Sequence, residues 1–310
     1  MKIIDRFTPS DSNCEKSSTV TLGTFDGVHT GHLEILGRVT NHARSAGTAS
    51  VVMTFHRPPV SVLGNDTSPN LITTNSEKLA LFENAGIEIV CILEFTEAIA
   101  AMYAEDFIRD YLVTCLGMKH FVVGYDHGFG HDRGGKAGGL KKYADRYGFE
   151  IEVVPPVIRD GREVKSSIIR GMLREGDVVS ASLLLGREYS ITGTVVHGES
   201  LGRKLGFPTA NIVPDDPGKI VPGSGVYAGW TSIAGKKHRS VISAGPRPTF
   251  DISEESLEVH IPCFEKELYG EVITVGFVRR LRDIVRFESQ RDLIEQIQRD
   301  IEAVPDHIVS

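Results

Sequence analysis

From Val20 to Pro155 the chain alternates short apolar runs with helical stretches, and after about Gly186 that alternation stops. The runs are Val20–Leu22, Ala49–Phe55, Ile87–Phe95, Phe121–Gly124 and Ile151–Val154, and Glu77–Ala85, Ala104–Leu116 and Leu140–Tyr147 lie between them with helical character. This order predicts crossover units and a parallel sheet flanked by helices, with ligands at the carboxyl ends of the strands. Past Gly186 the texture becomes β-rich pieces parted by Gly and Pro turns: Ser190–Val196, Gly225–Thr231, His238–Ser243, Ser256–Phe264 and Glu271–Val278. Such spacing predicts a compact antiparallel barrel. A last helix follows, with Leu293, Ile297 and Ile301 forming an apolar stripe expected to pack on the barrel. The expected organisation is an α/β domain over 1–186 and a β-barrel domain with a terminal helix over 187–310.

A chain of 310 residues, 41% hydrophobic and 24% charged, is long enough for two globular domains and unlike a disordered one. Its net charge of −7 supplies no basic excess to neutralise a nucleic-acid backbone, so small phosphorylated ligands are the expected partners. No 18-residue apolar run occurs, and Met1–Asn13 holds Asp5, Arg6 and Asp11 without an apolar segment. Neither a membrane span nor a secretory signal is expected, which points to the cytoplasm. Cys14, Cys91, Cys115 and Cys263 are scattered without Cys-x-x-Cys spacing, and read as ordinary thiols, three of them packed in the core.

The segment Gly23-Thr-Phe-Asp-Gly-Val-His-Thr-Gly-His32 follows an apolar stretch and opens an amphipathic run of Leu33, Leu36, Val39 and Ala43. It reads as a strand-to-helix turn. His29 and His32 stand three apart at the helix start and face one way. Free backbone N–H groups and the positive end of the helix dipole lie there, so phosphates can be held between them and two imidazoles. Gly31 carries no side chain to obstruct a phosphate approaching the backbone. This suits attack on an α-phosphate with pyrophosphate leaving, because positioned donors stabilise the charge on the oxygens. A short His-x-Gly-His also arises by chance, and it is the strand before it and the helix after it that favour the functional reading.

Further motifs follow in order: Val123-Gly-Tyr-Asp-His-Gly-Phe-Gly130 with Arg133, Ser166-Ser-Ile-Ile-Arg170, Leu184-Leu-Gly-Arg187, Gly202-Arg-Lys-Leu-Gly-Phe-Pro-Thr-Ala-Asn211, Gly225-Val-Tyr-Ala228, Arg247-Pro-Thr-Phe250, Leu257-Glu-Val-His260 and Tyr269-Gly270. In these pieces, their order and their spacing, the chain resembles the bifunctional prokaryotic riboflavin kinase/FMN adenylyltransferases over essentially its whole length. The resemblance implies a Rossmann-like nucleotidyltransferase module followed by a riboflavin kinase barrel. It implies that riboflavin and ATP give FMN, and FMN and ATP give FAD and pyrophosphate, with Mg²⁺ as the metal.

In the first module the resemblance gives His29 and His32 the ATP phosphates and the transition state. It places Gly23, Phe25, Asp26, Gly31, Asp126 and Arg133 around the nucleotide, and gives Ser167 and Arg170 the β- and γ-phosphate oxygens. A hydroxyl and a guanidinium suit that clamp, although Ser166 and Ser167 also read as a plain helix cap. In the second module Thr209 and Asn211 are expected on Mg²⁺, a hard cation that takes oxygen ligands and leans on substrate phosphates. Gly202 and Gly206 are expected to let a flap approach the nucleotide. Glu258 is expected to be the general base for the ribityl 5′-hydroxyl, while the strand-like alternation of Leu257–Ile261 also suits a solvent-facing Glu258. Arg282 and Pro58 are expected toward flavin, with a surface charge the alternative for Arg282.

The chain departs from the family pattern at His56-Arg57-Pro58-Pro59, where Pro-His-Pro is common, and at Tyr125, His127, Lys165 and Ser243. The first of these borders the expected FMN site. The alternatives carried forward are a kinase with an impaired adenylyltransferase module and a flavin-binding protein without turnover.

Overall fold

The computed structural model describes residues 1–9, 17–56, 70–131, 135–198, 202, 205–247 and 252–309. Arg133, Pro58 and Cys14 lie outside the described residues. The chain forms two compact units, Met1–Lys165 and Ser166–Ser310.

The first unit is built on six parallel strands: β1 (Lys2–Ile4), β2 (Ser18–Leu22), β3 (Ala49–Phe55), β4 (Ile89–Leu93), β5 (Met118–Gly124) and β6 (Glu150–Val154). Their order is β1-β4-β3-β2-β5-β6. The four inner strands, β2 to β5, are buried on both faces, as their nearly continuous apolar runs require, while the edge strands β1 and β6 are largely exposed or half-buried. Val20, Met53, Cys91 and Phe121 pack on one side, and Val52, Val90, Ile92 and Val122 meet the helices on the other. Helix α1 (Thr30–Ala46) buries Leu36, Val39 and Ala43 and stops where Gly47 turns left-handed at φ 64°. Helix α2 (Asn75–Asn84) starts from a capping box of Thr74 and Glu77. Strand β2 lies between β3 and β5, so the chain order reverses there and a crevice opens at the carboxyl ends of β2 and β5. The Gly23–His32 turn is at that point.

The second unit begins with α3 (Ser166–Arg174) and α4 (Val178–Leu185). A closed antiparallel barrel follows: β7 (Tyr189–Val196), β8 (Thr209–Pro214), β9 (Gly225–Ile233), β10 (Lys236–Arg247), β11 (Ile252–His260) and β12 (Val272–Arg282), in the order β8-β11-β10-β9-β12-β7. Strands β7 and β8 pair and close it. Helix α5 (Gln290–Glu302) comes last but for a final turn of 3₁₀ helix. The division falls at Lys165/Ser166, ahead of the 186/187 boundary expected from the sequence, because α3 packs on α4 and α4 on β12.

Several expectations are corrected. β1 and β8 were not anticipated as strands; β1 is a three-residue edge, and β8 lies between Pro208 and Pro214, which obscured it. The stretch Ala104–Leu116 is a short α-turn that widens into a π-helix over Ile108–Cys115. Of the cysteines, Cys91 is buried as a thiol outside any disulfide, and Cys263 is exposed rather than packed. Cys115 is buried and disulfide-bonded, against the expectation of unpaired thiols. On α5, Ile301 packs with Val226, Ala228, Trp230 and Val241 as expected, while the residue buried most completely is Asp300.

Candidate active sites

The turn after β2 is strained and buttressed. Phe25 and Val28 hold φ of 50° and 37°, beside Gly27 at 87°. Such values are costly for a bulky or β-branched residue and persist only where the surroundings enforce them. The Asp26 carboxylate does so, accepting from the backbone N–H of Ile72 at 3.0 Å and of Thr73 at 3.0 Å, and from the Thr73 hydroxyl at 3.2 Å. Gly27 N–H donates to the same hydroxyl at 2.9 Å. Phe25 sits edge-on to Phe82, 5.6 Å between centroids. Phe25 and Asp26, expected to line the nucleotide, are only 3% and 4% exposed and instead form the foundation beneath the turn.

On this foundation the two histidines stack, with centroids 3.6 Å apart and planes at 14°. His29 caps α1: its Nδ1 accepts the His32 backbone N–H at 3.2 Å. A neutral ring that accepts at Nδ1 carries its proton on Nε2, so His29 presents a donor beyond the stack. Phe25 meets His32 edge-on at 5.1 Å. A Cβ at Gly31 would come within 3.2 Å of His29 Nδ1, so the glycine leaves room for the cap itself. At Gly23 a Cβ would press on the Phe25 ring at 3.1 Å.

Lys78 was missed from sequence. It lies buried on α2 and donates to the Phe55 carbonyl at 3.1 Å, the Thr54 hydroxyl at 3.3 Å and the Thr24 carbonyl at 3.4 Å. These acceptors end β3 and open the histidine turn, so one ammonium ties the carboxyl ends of two strands. Burial pulls Lys78 down to about 8, partly opposed by the charge of Asp26. The available signal was its place four residues before Phe82, the other buried residue of α2. Lys78→Met is expected to slow adenylyl transfer about 10-fold to 100-fold by loosening this geometry, with Lys78→Arg intermediate and riboflavin phosphorylation unchanged in both. Separate kinetics of the two reactions check this.

At the end of β5, two departures from the family pattern meet: the Lys165 ammonium lies over the Tyr125 ring, 5.7 Å from its centroid. Lys165 also pairs with Glu163 at 2.9 Å and faces the charge of Asp126. Asp126 itself is exposed. His127 lies among Phe121 and Phe129, with a buried Nε2 that has no hydrogen-bond partner among the described residues. Burial pulls its ring down to about 4. Between about pH 6.5 and 4 the unfolded chain takes up a proton that the folded one refuses, so stability falls as pH falls through that window. His127→Phe is expected to remove this acid sensitivity, worth up to about 2 kcal/mol at pH 5. Denaturant midpoints at pH 7 and pH 5 for both proteins measure it.

Ser167 and Arg170 lie on α3, in the second unit, three apart and therefore on one face. Ser167 is exposed and Arg170 half-buried. Their phosphate role remains an expectation from resemblance.

In the barrel, Asn211 on β8 pairs in register with Glu258 on β11, and Thr209 with His260. Residues 209 and 211 share a face because side chains alternate along a strand. The Thr209 hydroxyl donates to Glu258 Oε2 at 2.9 Å, and the Ser256 hydroxyl shares its proton between Oε1 at 3.3 Å and the Gly245 carbonyl at 3.2 Å. A Cβ at Gly198 would collide with the Asn211 amide at 2.2 Å, and one at Gly202 with the Phe207 carbonyl at 2.3 Å. The chain between β7 and β8 thus approaches this face through glycines. Gly206 takes φ 86° in open space. Ser243 pairs opposite Glu258 from β10. His260 accepts or donates at neither substrate-facing group described; its Nδ1 meets the Pro208 carbonyl at 2.9 Å, and burial lowers its basicity.

Two cavities flank this strand. One of about 380 Å³ is bordered by Pro208, Thr209, Ala210, Phe264 and Tyr269, and another of about 630 Å³ by Asn211, His197, Pro222, Gly245 and Ser256. Both fall in the range of small-molecule sites. Arg282, expected toward flavin, is committed elsewhere: its guanidinium grips the buried Asp300 at 2.8 Å and 3.0 Å and donates to the Asp283 carbonyl at 3.0 Å. It fastens α5 to the barrel.

A phosphate-ready helix start at the switch point of a parallel sheet, together with a barrel face of hard oxygens and a carboxylate, defines a two-unit nucleotide-dependent transferase. The FAD synthetase family matches residues 11–168 and the riboflavin kinase family residues 185–308. The bifunctional riboflavin kinase/FMN adenylyltransferase of Bacillus subtilis (strain 168) is 36% identical over 292 residues, covering 92% of this chain and 91% of its own. That of Escherichia coli (strain K12) is 35% identical over 287 residues, with 92% and 91% covered. A crystal structure from Streptococcus pneumoniae, described as a macrolide-efflux protein, superposes with a TM-score of 0.90 at 33% identity over 99% of both chains. In the present chain no described helix is long and apolar enough to cross a membrane. The chain belongs to the bifunctional riboflavin kinase/FMN adenylyltransferase family.

Proposed function

We infer that the chain divides the two family activities between its units, the barrel phosphorylating riboflavin and the α/β unit adenylylating the resulting FMN. It is a riboflavin kinase and an FMN adenylyltransferase, and it makes FMN and FAD. ATP and flavins are its substrates. The observation that carries the residue assignment is the Glu258 carboxylate held between two hydroxyl donors, with Asn211 in register beside it.

In the kinase step Glu258 takes the proton of the ribityl 5′-hydroxyl as that oxygen attacks the γ-phosphorus and ADP leaves. Ser256 and Thr209 fix the carboxylate plane. The residues present suit Mg²⁺: Thr209 Oγ1 and the Asn211 amide oxygen are hard donors on one face, and a hydroxyl that donates its proton to Glu258 still has lone pairs for a cation. When bound, that ion would neutralise charge on the phosphate oxygens. The larger cavity is assigned to the flavin and the smaller, at the Thr209 end, to the nucleotide.

In the adenylyl step an FMN phosphate oxygen attacks the α-phosphorus of ATP and pyrophosphate leaves. His29 Nε2–H, His32 and the positive end of the α1 dipole meet the phosphate oxygens where negative charge builds. The strained turn holds them in place before substrate arrives. We place both reactions in the cytoplasm, where ATP is available.

The test is a chromatographic time course of the purified chain with riboflavin, Mg²⁺ and excess ATP. FMN should rise and then give way to FAD. FMN that persists under excess ATP would show that the adenylyltransferase unit is impaired, and flavin bound without ATP consumption would overturn the reading.

A further inference from the structure

We propose that His42, His120 and Glu150 form a binding site for a divalent transition-metal ion of the zinc class, at the end of the first unit remote from the phosphate turn. Their ligand atoms all lie within 4.8 Å of one another. The sheet brings them there: Thr19 on β2 pairs with His120 on β5, and His120 pairs with Glu150 on β6, near the strand starts. Helix α1 runs back from the phosphate turn, and its rise of about 1.5 Å per residue carries His42 about 18 Å along from Thr30 to the same end.

The observation pointing to a ligand is His120. Its side chain is 8% exposed, and neither ring nitrogen has a hydrogen-bond partner among the described residues. The nearest acceptors are Glu150 Oε2, 3.5 Å from Nδ1, and Glu152 Oε2, 3.5 Å from Nε2. A buried imidazole left unsatisfied is costly, and an ion is one of the few things that accounts for it. His42 stacks on this ring with centroids 3.6 Å apart.

The surroundings supply the rest of a metal site. Thr19 Oγ1 lies 3.0 Å from His42 Nδ1 and 2.8 Å from Thr48 Oγ1, so Nδ1 is engaged and Nε2 is left for coordination. Glu152 already pairs with Arg38 at 3.4 Å, whereas Glu150 is 81% exposed and able to swing inward. Two imidazoles and a carboxylate suit zinc and cobalt over magnesium. Tetrahedral ligands stand about 3.3 Å apart, so binding turns His42 out of the stack and draws Glu150 in.

The test uses the full chain carrying His32→Ala, so that the stacked pair of the phosphate turn does not contribute, stripped of metal and titrated with Co²⁺. One equivalent should bind with the intense visible bands of a low-coordinate site, and Zn²⁺ should displace it. Glu150→Gln, at an exposed position, should weaken Co²⁺ at least 10-fold, and His42→Gln should abolish the bands, each with an unchanged near-ultraviolet circular dichroism spectrum. Absence of saturable binding, or binding that both variants leave unchanged, overturns the proposal.

Discussion

Glu258→Gln is expected to abolish FMN formation from riboflavin while FMN supplied directly is still converted to FAD. Gln keeps the shape: its carbonyl oxygen accepts one of the two hydroxyls, Thr209 at 2.9 Å or Ser256 at 3.3 Å in the native geometry, and the other hydroxyl can rotate to accept from the amide NH2, so the barrel should fold. What it loses is basicity. Removing a positioned general base costs roughly 10²–10⁴ in rate, and the loss should fall on kcat with little change in the KM for riboflavin, because the carboxylate acts as the proton departs. Parallel assays of riboflavin phosphorylation and FMN adenylylation measure this. Normal phosphorylation by the variant would remove Glu258 from the role.

His32→Ala is expected to do the reverse. His32 is the safer of the two histidines to remove, since His29 Nδ1 caps α1 and its loss also destabilises the helix, by about 1 kcal/mol. The alanine variant keeps the cap but removes one partner from the stack and the edge contact of Phe25 with His32. Losing one oriented donor to a developing phosphate charge costs about 10²–10³ in kcat. FMN should therefore accumulate in a riboflavin time course. A variant that makes FAD at the native rate would place the phosphate donors elsewhere, in the backbone of the helix start.

The two sites differ in how far they could be read in advance. His29 and His32 were legible because strand, glycine turn and helix are contiguous, and local geometry alone puts both rings on one face. The carboxylate–hydroxyl contact was not legible: Thr209 and Glu258 are 49 residues apart and meet only through the pairing of β8 with β11. Arg282 illustrates the converse. In the sequence it is a charge before a helix, free for a flavin; its partner Asp300 lies 18 residues on, and burial commits the pair to structure. Phe25 and Asp26 share the motif with the histidines, yet the backbone reversal at positive φ turns them inward.

Pattern and motif by themselves determined the two architectures, the strand-to-helix phosphate turn and the family resemblance, because each rests on periodicity or on residues adjacent in the chain. Only the tertiary structure decided which motif residues face outward and which are buried supports. It likewise assigned α3 and α4 to the second unit, drew Lys78 beneath the strand ends and set His42 on His120. Those outcomes depend on contacts between distant segments, where burial and hydrogen-bond satisfaction, rather than local preference, select the partner.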